Sequence, residues 1–443
     1  MRILVENGCY DLRNMGDVGM LEVAVRRLKE LWPGSVIMVV TDQPAFLARY
    51  CPDTQAVPAC GRNDWLRDRT PPSGLRSLLP NKANQQIFRL WRTIRSRRPR
   101  LAQRLIQWNA RGRKADVDKM DEYLEALFDC DLLIVSGGGD INDAFADYAM
   151  TVLEVMEMSV RAGITTVMFS QGIGPVGNGR LRAKAKAVLP SVDFIAIRDS
   201  RTSYSVLRAL GVGQNRITAT GDDAIELAYD ARRTRTGSGI GVNLRAAEYS
   251  QVTPKHIETV RKVLQAAATK YNTELIGLPV CFQEGSSDVE TIKQLLKGSK
   301  FNCDDCENLD SPERLAEKVG YCRVVVTGSY HSAVFALAEG IGAVALANSS
   351  YYKHKFLGLS GQFGCGCELV ELNDRDLFKK IGTAIDAAWE SADKLRPELL
   401  DSAKRQIACS RRAYERVYQL LESGSVKNQV ATPAEKPHYA GHY

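Results

Sequence analysis

The chain has 443 residues, 44% of them hydrophobic, and a formal net charge of +7. That length exceeds one ordinary core and predicts at least two domains. No run of about 18 apolar residues occurs, which excludes a spanning helix, and "MRILVENGC" lacks the charged-then-apolar layout of a secretion signal.

"RILVE" opens the chain as a short strand, and "VGMLEVAVRRLKELW" follows as a helix that Pro33-Gly34 ends before the strand "VIMVV". The turn between them holds Asn14, Gly16 and Asp17. Gly16 permits close backbone approach, and Asp17 either caps the helix or binds a sugar hydroxyl.

A basic stretch comes next. Residues 62–114 carry 15 Lys or Arg against two Asp, a surplus of 13 that leaves the rest of the chain at −6. Within it Ile87, Leu90, Trp91 and Ile94 fall on one helical face among arginines. Such a helix over 85–114 suits an anionic membrane surface. A solvated insertion partly covering the core is the plain alternative, and nucleic acid is the weakest reading because no known module is present.

Four more short runs, "DLLIVSGGGD", "TTVMFSQGIGP", "DFIAIRDS" and "ITATGDD", each pair a Val- and Ile-rich strand with a Gly- or Asp-containing turn. This is the pattern of parallel βαβ units with helices on both faces. Gly137, Gly138 and Gly139 open a turn able to face a ligand, although the spacing is not the dinucleotide fingerprint. Arg198 follows the third of these strands.

The polar "ARRTRTGS" at 231–238 reads as an interdomain linker. A second strand series then begins at "GIGVNLR", which ends on Arg245. A helix over about 255–269, the strand "TELIGLPV", a helix started by Ser311 as N-cap with Pro312 behind it, and the strand "CRVVVTG" complete the approach to His331. "AVALAN" and "YYKHKFLGL", with Lys355, follow. Two helical stretches are expected from 373 to 422, then a polar tail over 423–443 without fixed structure. The expected partition is an N-terminal Rossmann-like domain over 1–230, the linker, and a C-terminal one over 239–372.

His331 is the histidine best placed for chemistry, at the junction of a buried strand and an apolar helix. Free N–H groups at a helix start attract anions and disfavour an unaccompanied imidazolium. A bound phosphate or carboxylate reverses that preference and makes the ring a proton donor. The other reading is a neutral, packed histidine. Arg198 and Arg245 come from different halves and could both reach a cleft between them, where guanidinium groups grip anionic oxygens; pairing with nearby acids is the alternative. The eleven scattered cysteines, an odd number, read as reduced cytoplasmic thiols. Cys303 with Cys306, and Cys365 with Cys367, lack finger spacing and a histidine, so no metal site is expected.

Taken in order, "NMGD", "LLIVSGGGD", "SQGIGP", "IAIRDSRTSYSVLRALGV", "TGDDA" and the block from "TGSYHSAVFALAEG" to "YYKHKFLGL" make the chain resemble the polysaccharide pyruvyl transferase family over about residues 1–370. The resemblance implies a GT-B-like α/β fold, two Rossmann-like domains whose parallel sheets face a central cleft. It also implies phosphoenolpyruvate as donor, and as acceptor a sugar of a cell-surface polysaccharide or its lipid-linked precursor. Family members often carry Arg-Leu-His where this chain has Ser329, Tyr330 and His331. The donor's grip therefore falls to Arg198, Arg245 or Lys355, or the donor is another anion.

On this reading His331 is the general acid. The substrate-binding set is Asn14, Gly16, Asp17, Gly138, Gly139, Gln171 of "SQGIGP", Arg198, Arg245, Ser329, Tyr330 and Lys355. Neither cofactor nor metal is called for, because guanidinium groups and backbone amides offset the donor's charge. The protein is placed in the cytoplasm, or peripherally at the inner membrane face. Two rivals use the same scaffold: a glycosyltransferase with a nucleotide-sugar donor, and a non-catalytic membrane-associated scaffold for polysaccharide assembly.

Overall fold

The computed structural model describes residues 1–67, 90–91, 93–95, 98–109, 114–299, 306 and 311–423. The short apolar runs become strands of two sheets. β1 (Arg2–Asn7), β2 (Val36–Val40), β3 (Gln55–Val57), β4 (Leu132–Ser136), β5 (Thr165–Gln171), β6 (Phe194–Ile197) and β7 (Ile217–Ala219) form the first. β8 (Gly239–Asn243), β9 (Leu275–Gly277), β10 (Cys322–Thr327), β11 (Gly342–Ala347) and β12 (Cys367–Glu371) form the second. The orders are β3-β2-β1-β4-β5-β6-β7 and β12-β11-β10-β8-β9, with every pairing parallel. β4, β5, β8 and β11 are buried along their whole length, because helices cover both faces of a parallel sheet.

Strand order reverses between β1 and β4 in one sheet and between β8 and β10 in the other. Crevices of this kind, beyond the carboxyl ends of the strands, are where such sheets bind ligands. The two crevices face each other. One hydrophobic cluster runs from β1 to β10 through the helices Met15–Leu31, Ala224–Ala231 and Tyr330–Ala338, so the lobes share an apolar interface. Across the cleft the Met15 amide donates to the Val280 carbonyl, and the Phe282 amide to the Arg13 carbonyl, both at 2.8 Å.

Local signals are obeyed at several helix ends. Ser311 caps Pro312–Val319 by accepting from the Arg314 amide. The helix read at 255–269 spans Pro254–Tyr271 with Thr253 as its cap. Two expectations need correction. The C-terminal helical region is one helix, Leu377–Glu422, continuous through Pro397. Buried residues all along it, from Ile381 and Ile385 to Tyr414 and Val417, pack against both lobes and override the breaking tendency of the proline.

The apolar face of the basic segment is also divided. Trp91 is buried and Ile94 packs against the core beside it, whereas Leu90, about 100° away on a helix, is exposed. Arg62 is likewise buried, in an ion pair with Glu6, and contributes nothing to a basic surface. Ile87, most of the basic stretch, Cys303 and the polar tail from 424 lie outside the described residues. Among the described residues no helix is long and apolar enough to cross a membrane.

Candidate functional site

The loops that leave β1 and β4 meet those that leave β8 and β10 around a cavity of about 260 Å³. The first lobe supplies Asn14, Asp17, Gly139, Asp140, Tyr148 and Arg198 to its wall. The second supplies Arg245, Tyr249, Ser329, Tyr330, His331, Tyr351, Tyr352 and Lys355.

His331 sits in the first turn of the helix Tyr330–Ala338, behind the N-cap Ser329. The ring reaches the cavity because Gly16 stands opposite. A Cβ on Gly16 would lie 2.0 Å from the ring, so only glycine lets the two helices approach this closely. Gly16 thus acts beneath the histidine and is not part of the wall. The helix of Gly16 is capped by Asn14, whose side chain accepts from the Gly16 and Asp17 amides, and not by Asp17, whose carboxyl is left to face the cavity.

Arg198 is held rigidly. Its Nε donates to the Ser170 carbonyl at 2.8 Å and lies 2.9 Å from Asp222 Oδ2. The same Asp222 oxygen is 3.8 Å from His331 Nε2, and both atoms are buried without a hydrogen-bond partner. Ser170 adopts a left-handed conformation, φ 57°, at the end of β5. Such a conformation costs about 1–3 kcal/mol in a residue other than glycine. It coincides with the carbonyl that fixes Arg198 and the hydroxyl that accepts from the Asp223 amide.

Arg245 is anchored in turn. It pairs with Asp288 at 2.9 Å and donates to the Tyr249 hydroxyl at 3.1 Å. Asp288 is itself fixed by Asn243 and by the Val280 and Cys281 amides. Lys355 differs from both arginines. Its ammonium lies 4.5 Å from the Tyr351 ring centroid and 5.2 Å from that of Tyr330, and no carboxylate among the described residues pairs with it.

Electrostatics follow from this crowding. Burial, reinforced by the Arg198 and Lys355 charges, holds the His331 ring well below its ordinary pKa, which favours the neutral imidazole. Burial and the neighbouring Asp140 push the Asp17 carboxyl up to about 7. Burial and Arg198 pull the Lys355 ammonium down to about 8. Burial also raises Asp140 and Asp222. Groups shifted toward neutrality in a cleft are those able to exchange protons near pH 7.

Of the residues read from sequence, Asn14, Asp17, Gly139, Arg198, Arg245, Ser329, Tyr330, His331 and Lys355 converge on this cavity. Gln171 does not. Its side-chain amide donates to the Val135 and Phe169 carbonyls and to that of Gly137, pinning the glycine turn. Gly138, at φ 106°, shapes that same turn without lining the wall. The reading missed Asp140 and Asp222, although each lies in a quoted motif just beyond a strand. It also missed an aromatic wall: Phe145, Tyr249, Tyr351 and Tyr352 touch edge-to-face or stacked, with centroids 5.0–6.1 Å apart. Among the described residues no group of three His, Cys, Asp or Glu side chains is placed to hold a metal ion.

Two parallel sheets with facing switch points and a charged cavity between them define a GT-B-like protein. Solved structures share this fold. UDP-GlcNAc 2-epimerase from Neisseria meningitidis bound to UDP-GlcNAc aligns with TM-score 0.52 at 10% identity, over 95% of this chain and 100% of that one. The S. aureus MnaA-UDP co-structure aligns with TM-score 0.52 at 12% identity over 100% of both chains. UDP-GlcNAc 2-epimerase from Methanocaldococcus jannaschii aligns with TM-score 0.52 at 11% identity, over 96% and 99%. At these identities the likeness concerns the fold alone. No curated protein matches the chain significantly. The profile of the polysaccharide pyruvyl transferases matches residues 14–350, and the chain belongs to that family of transferases.

Proposed function

We propose that this protein transfers the pyruvyl group of phosphoenolpyruvate to a saccharide of a cell-surface polysaccharide or its lipid-linked precursor. The observation that carries the reading is His331 Nε2, buried, without a hydrogen-bond partner, and flanked by Arg198, Lys355 and Asp222 where the two lobes meet. The donor brings a phosphate and a carboxylate. The start of the Tyr330–Ala338 helix takes one, as free N–H groups do, and Arg198 with Lys355 takes the other. In the position of the family's common arginine this chain has Ser329, and Lys355, which has no ion-pair partner among the described residues, supplies the second cation beside the fixed Arg198.

The donor's negative charge offsets the two cations that depress the ring, so His331 gains a proton as the donor binds. It delivers that proton to the methylene carbon. The adjoining carbon becomes electrophilic, a sugar hydroxyl adds to it, and Asp17 accepts the hydroxyl's proton. The bond to phosphate oxygen breaks and inorganic phosphate leaves. A second hydroxyl adds to the same carbon, gives its proton to the now neutral His331 and closes a cyclic ketal. Tyr249 and Tyr351 offer the sugar an apolar face.

Contact of the arginine-rich 85–114 segment with an anionic membrane face belongs to the same reading, because Leu90 and Leu101 remain exposed there; binding to anionic vesicles checks it. For the reaction, His331→Ala is expected to lower phosphate release and ketal formation by about 10²–10⁴-fold. Mass spectrometry of the saccharide reads the ketal directly, as an added pyruvate less water. Full transfer by the purified variant removes His331 from the mechanism.

A further inference from the structure

Beyond the central cavity the molecule has a second concavity, a groove of about 520 Å³ at the outer mouth of the cleft. Its walls are the loop after β5, the helices Gly179–Val188 and Ser203–Ala209 of the first lobe, and His354 of the second. Two features give it chemical character. Arg182 and Arg201 line it, and among the described residues no carboxylate pairs with either. The acids nearby are occupied elsewhere. Asp143 accepts from the Gly177 and Asn178 amides, and Asp199 from the Thr202 amide and the Thr202 and Ser203 hydroxyls. The opposite surface is apolar, with Val176, Val206 and Leu210.

The groove is joined to the reaction site. A narrow gap of about 20 Å³ shares Thr202 and His354 with the groove, and Arg198, Tyr330 and Lys355 with the central cavity. Lys355 is the flexible side chain of that gap; Gly139 leaves it room, since a Cβ there would stand 2.8 Å from Lys355 Cε. The gap has room for about one water as it stands, so a molecule with its anionic group in the groove reaches His331 when the Lys355 side chain swings aside.

Unpaired guanidinium groups beside an apolar wall fit one ligand chemistry better than others: a phosphate or diphosphate bonded to hydrocarbon. We propose that this groove holds the phosphorylated, lipid-bearing end of the acceptor, with Arg182 and Arg201 on the phosphate oxygens and Val206 and Leu210 against the first part of the chain. The assignment of that molecule as an acceptor rests on the pyruvyl-transfer reading; the groove's ligand chemistry does not.

The test is direct binding by titration calorimetry, with inorganic pyrophosphate, geranyl diphosphate and UDP as probes. Geranyl diphosphate is expected to bind several-fold more tightly than pyrophosphate or UDP. The double substitution Arg182→Gln with Arg201→Gln is expected to weaken both pyrophosphate and geranyl diphosphate by roughly tenfold or more. Val206→Ser is expected to weaken geranyl diphosphate and leave pyrophosphate unchanged. These residues are on or near the surface, and Arg182→Lys with Arg201→Lys serves as the folded, charge-retaining control. Binding indifferent to the loss of both arginines overturns the site. UDP or pyrophosphate binding as tightly as geranyl diphosphate overturns the lipid assignment. If the probes behave as expected while phosphoenolpyruvate is never turned over, the transfer reading fails and the groove stands.

Discussion

Asp222 and Asp223 follow one another just beyond β7, and their carboxylates enter two different buried charge clusters. Asp223 is saturated: Arg27 at 2.7 Å, Ser410 at 2.5 Å and Tyr414 at 2.8 Å all donate to it. Glu226, one turn on, receives Arg26, Arg27 and Arg411. Although burial would raise its pKa, the Arg411 hydrogen bond and the Arg27 charge pull it down to about 2. Asp222, in contrast, meets Arg198 but keeps a buried oxygen without a hydrogen bond, 3.8 Å from an equally unsatisfied His331. The first cluster ties the long C-terminal helix to the first lobe. The second is left incomplete where a ligand would complete it. A buried network whose carboxylates are each met by several donors speaks of architecture, even with Arg27 Nε left without a partner, and one whose carboxylate and imidazole both lack partners beside a cavity speaks of chemistry.

The largest effect that could break this distinction is on stability. Arg27→Met leaves Asp223 and Glu226 as buried charges without their central partner, and is expected to destabilise the fold by about 3–5 kcal/mol. Urea unfolding measures it; a variant as stable as the parent would show that the saturated cluster has no structural weight. Gly16→Ala comes next. Its methyl would meet the His331 ring at 2.0 Å, so overpacking costs about 1–3 kcal/mol and the ring is displaced. A shift of that kind is expected to lower transfer by about 100-fold. Retained activity would mean that the ring's position does not matter. Asp222→Asn should move activity more than stability. Stability is expected to fall by less than for Arg27→Met, because the amide keeps an oxygen for Arg198 Nε and one buried ion pair is lost rather than two. Transfer is expected to fall at least about tenfold. Equal losses in both measurements would erase the contrast between the clusters.

Much of the second cluster was legible in the sequence, because its members sit where strand ends always deliver them. His331, Arg198 and Arg245 each follow a strand end closely, and parallel sheets bring such positions to one edge; Lys355 lies further on, inside the helix Ser350–Phe363. Asp222 was quoted in its motif and passed over, since nothing local distinguishes it from Asp223; only the direction each side chain takes in the fold separates them. The saturated cluster was not legible at all. It joins Arg27 to Ser410 and Tyr414 across more than 380 residues, and no pattern of period or spacing reports a pairing of that range. The unbroken helix through Pro397 escaped for the same reason, its support coming from both lobes rather than from its own residues. Gln171 entered the substrate-binding set with its motif, and the Gly137–Gly138 turn claims its side chain instead.

The two clusters also differ in the sign of their response to pH. Glu226, lowered from 4.5 to about 2, contributes stability that is present above its ordinary value and is lost as pH falls through about 2. Asp17 runs the other way. Its pKa rises from 3.8 to about 7, so between those values the native chain holds a proton that the unfolded chain has released, and stability falls as pH rises through that window. Lys355, lowered from 10.5 to about 8, gives the unfolded chain the extra proton, and stability rises with pH from about 8 to 10.5. Urea unfolding at pH 5, 7, 8 and 10 reads these contributions as differences between the parent and each variant, because Glu22 and the buried thiols of Cys51 and Cys130 titrate over the same range. Asp17→Asn is expected to remove a loss of stability between pH 5 and 7, and Lys355→Met a gain between pH 8 and 10, the alkaline limb. A donor-like anion in the cavity should oppose the lysine's loss of charge, so saturating phosphoenolpyruvate is expected to move the alkaline limb to higher pH. A limb that stays in place with the donor bound would put the anion somewhere other than beside Lys355.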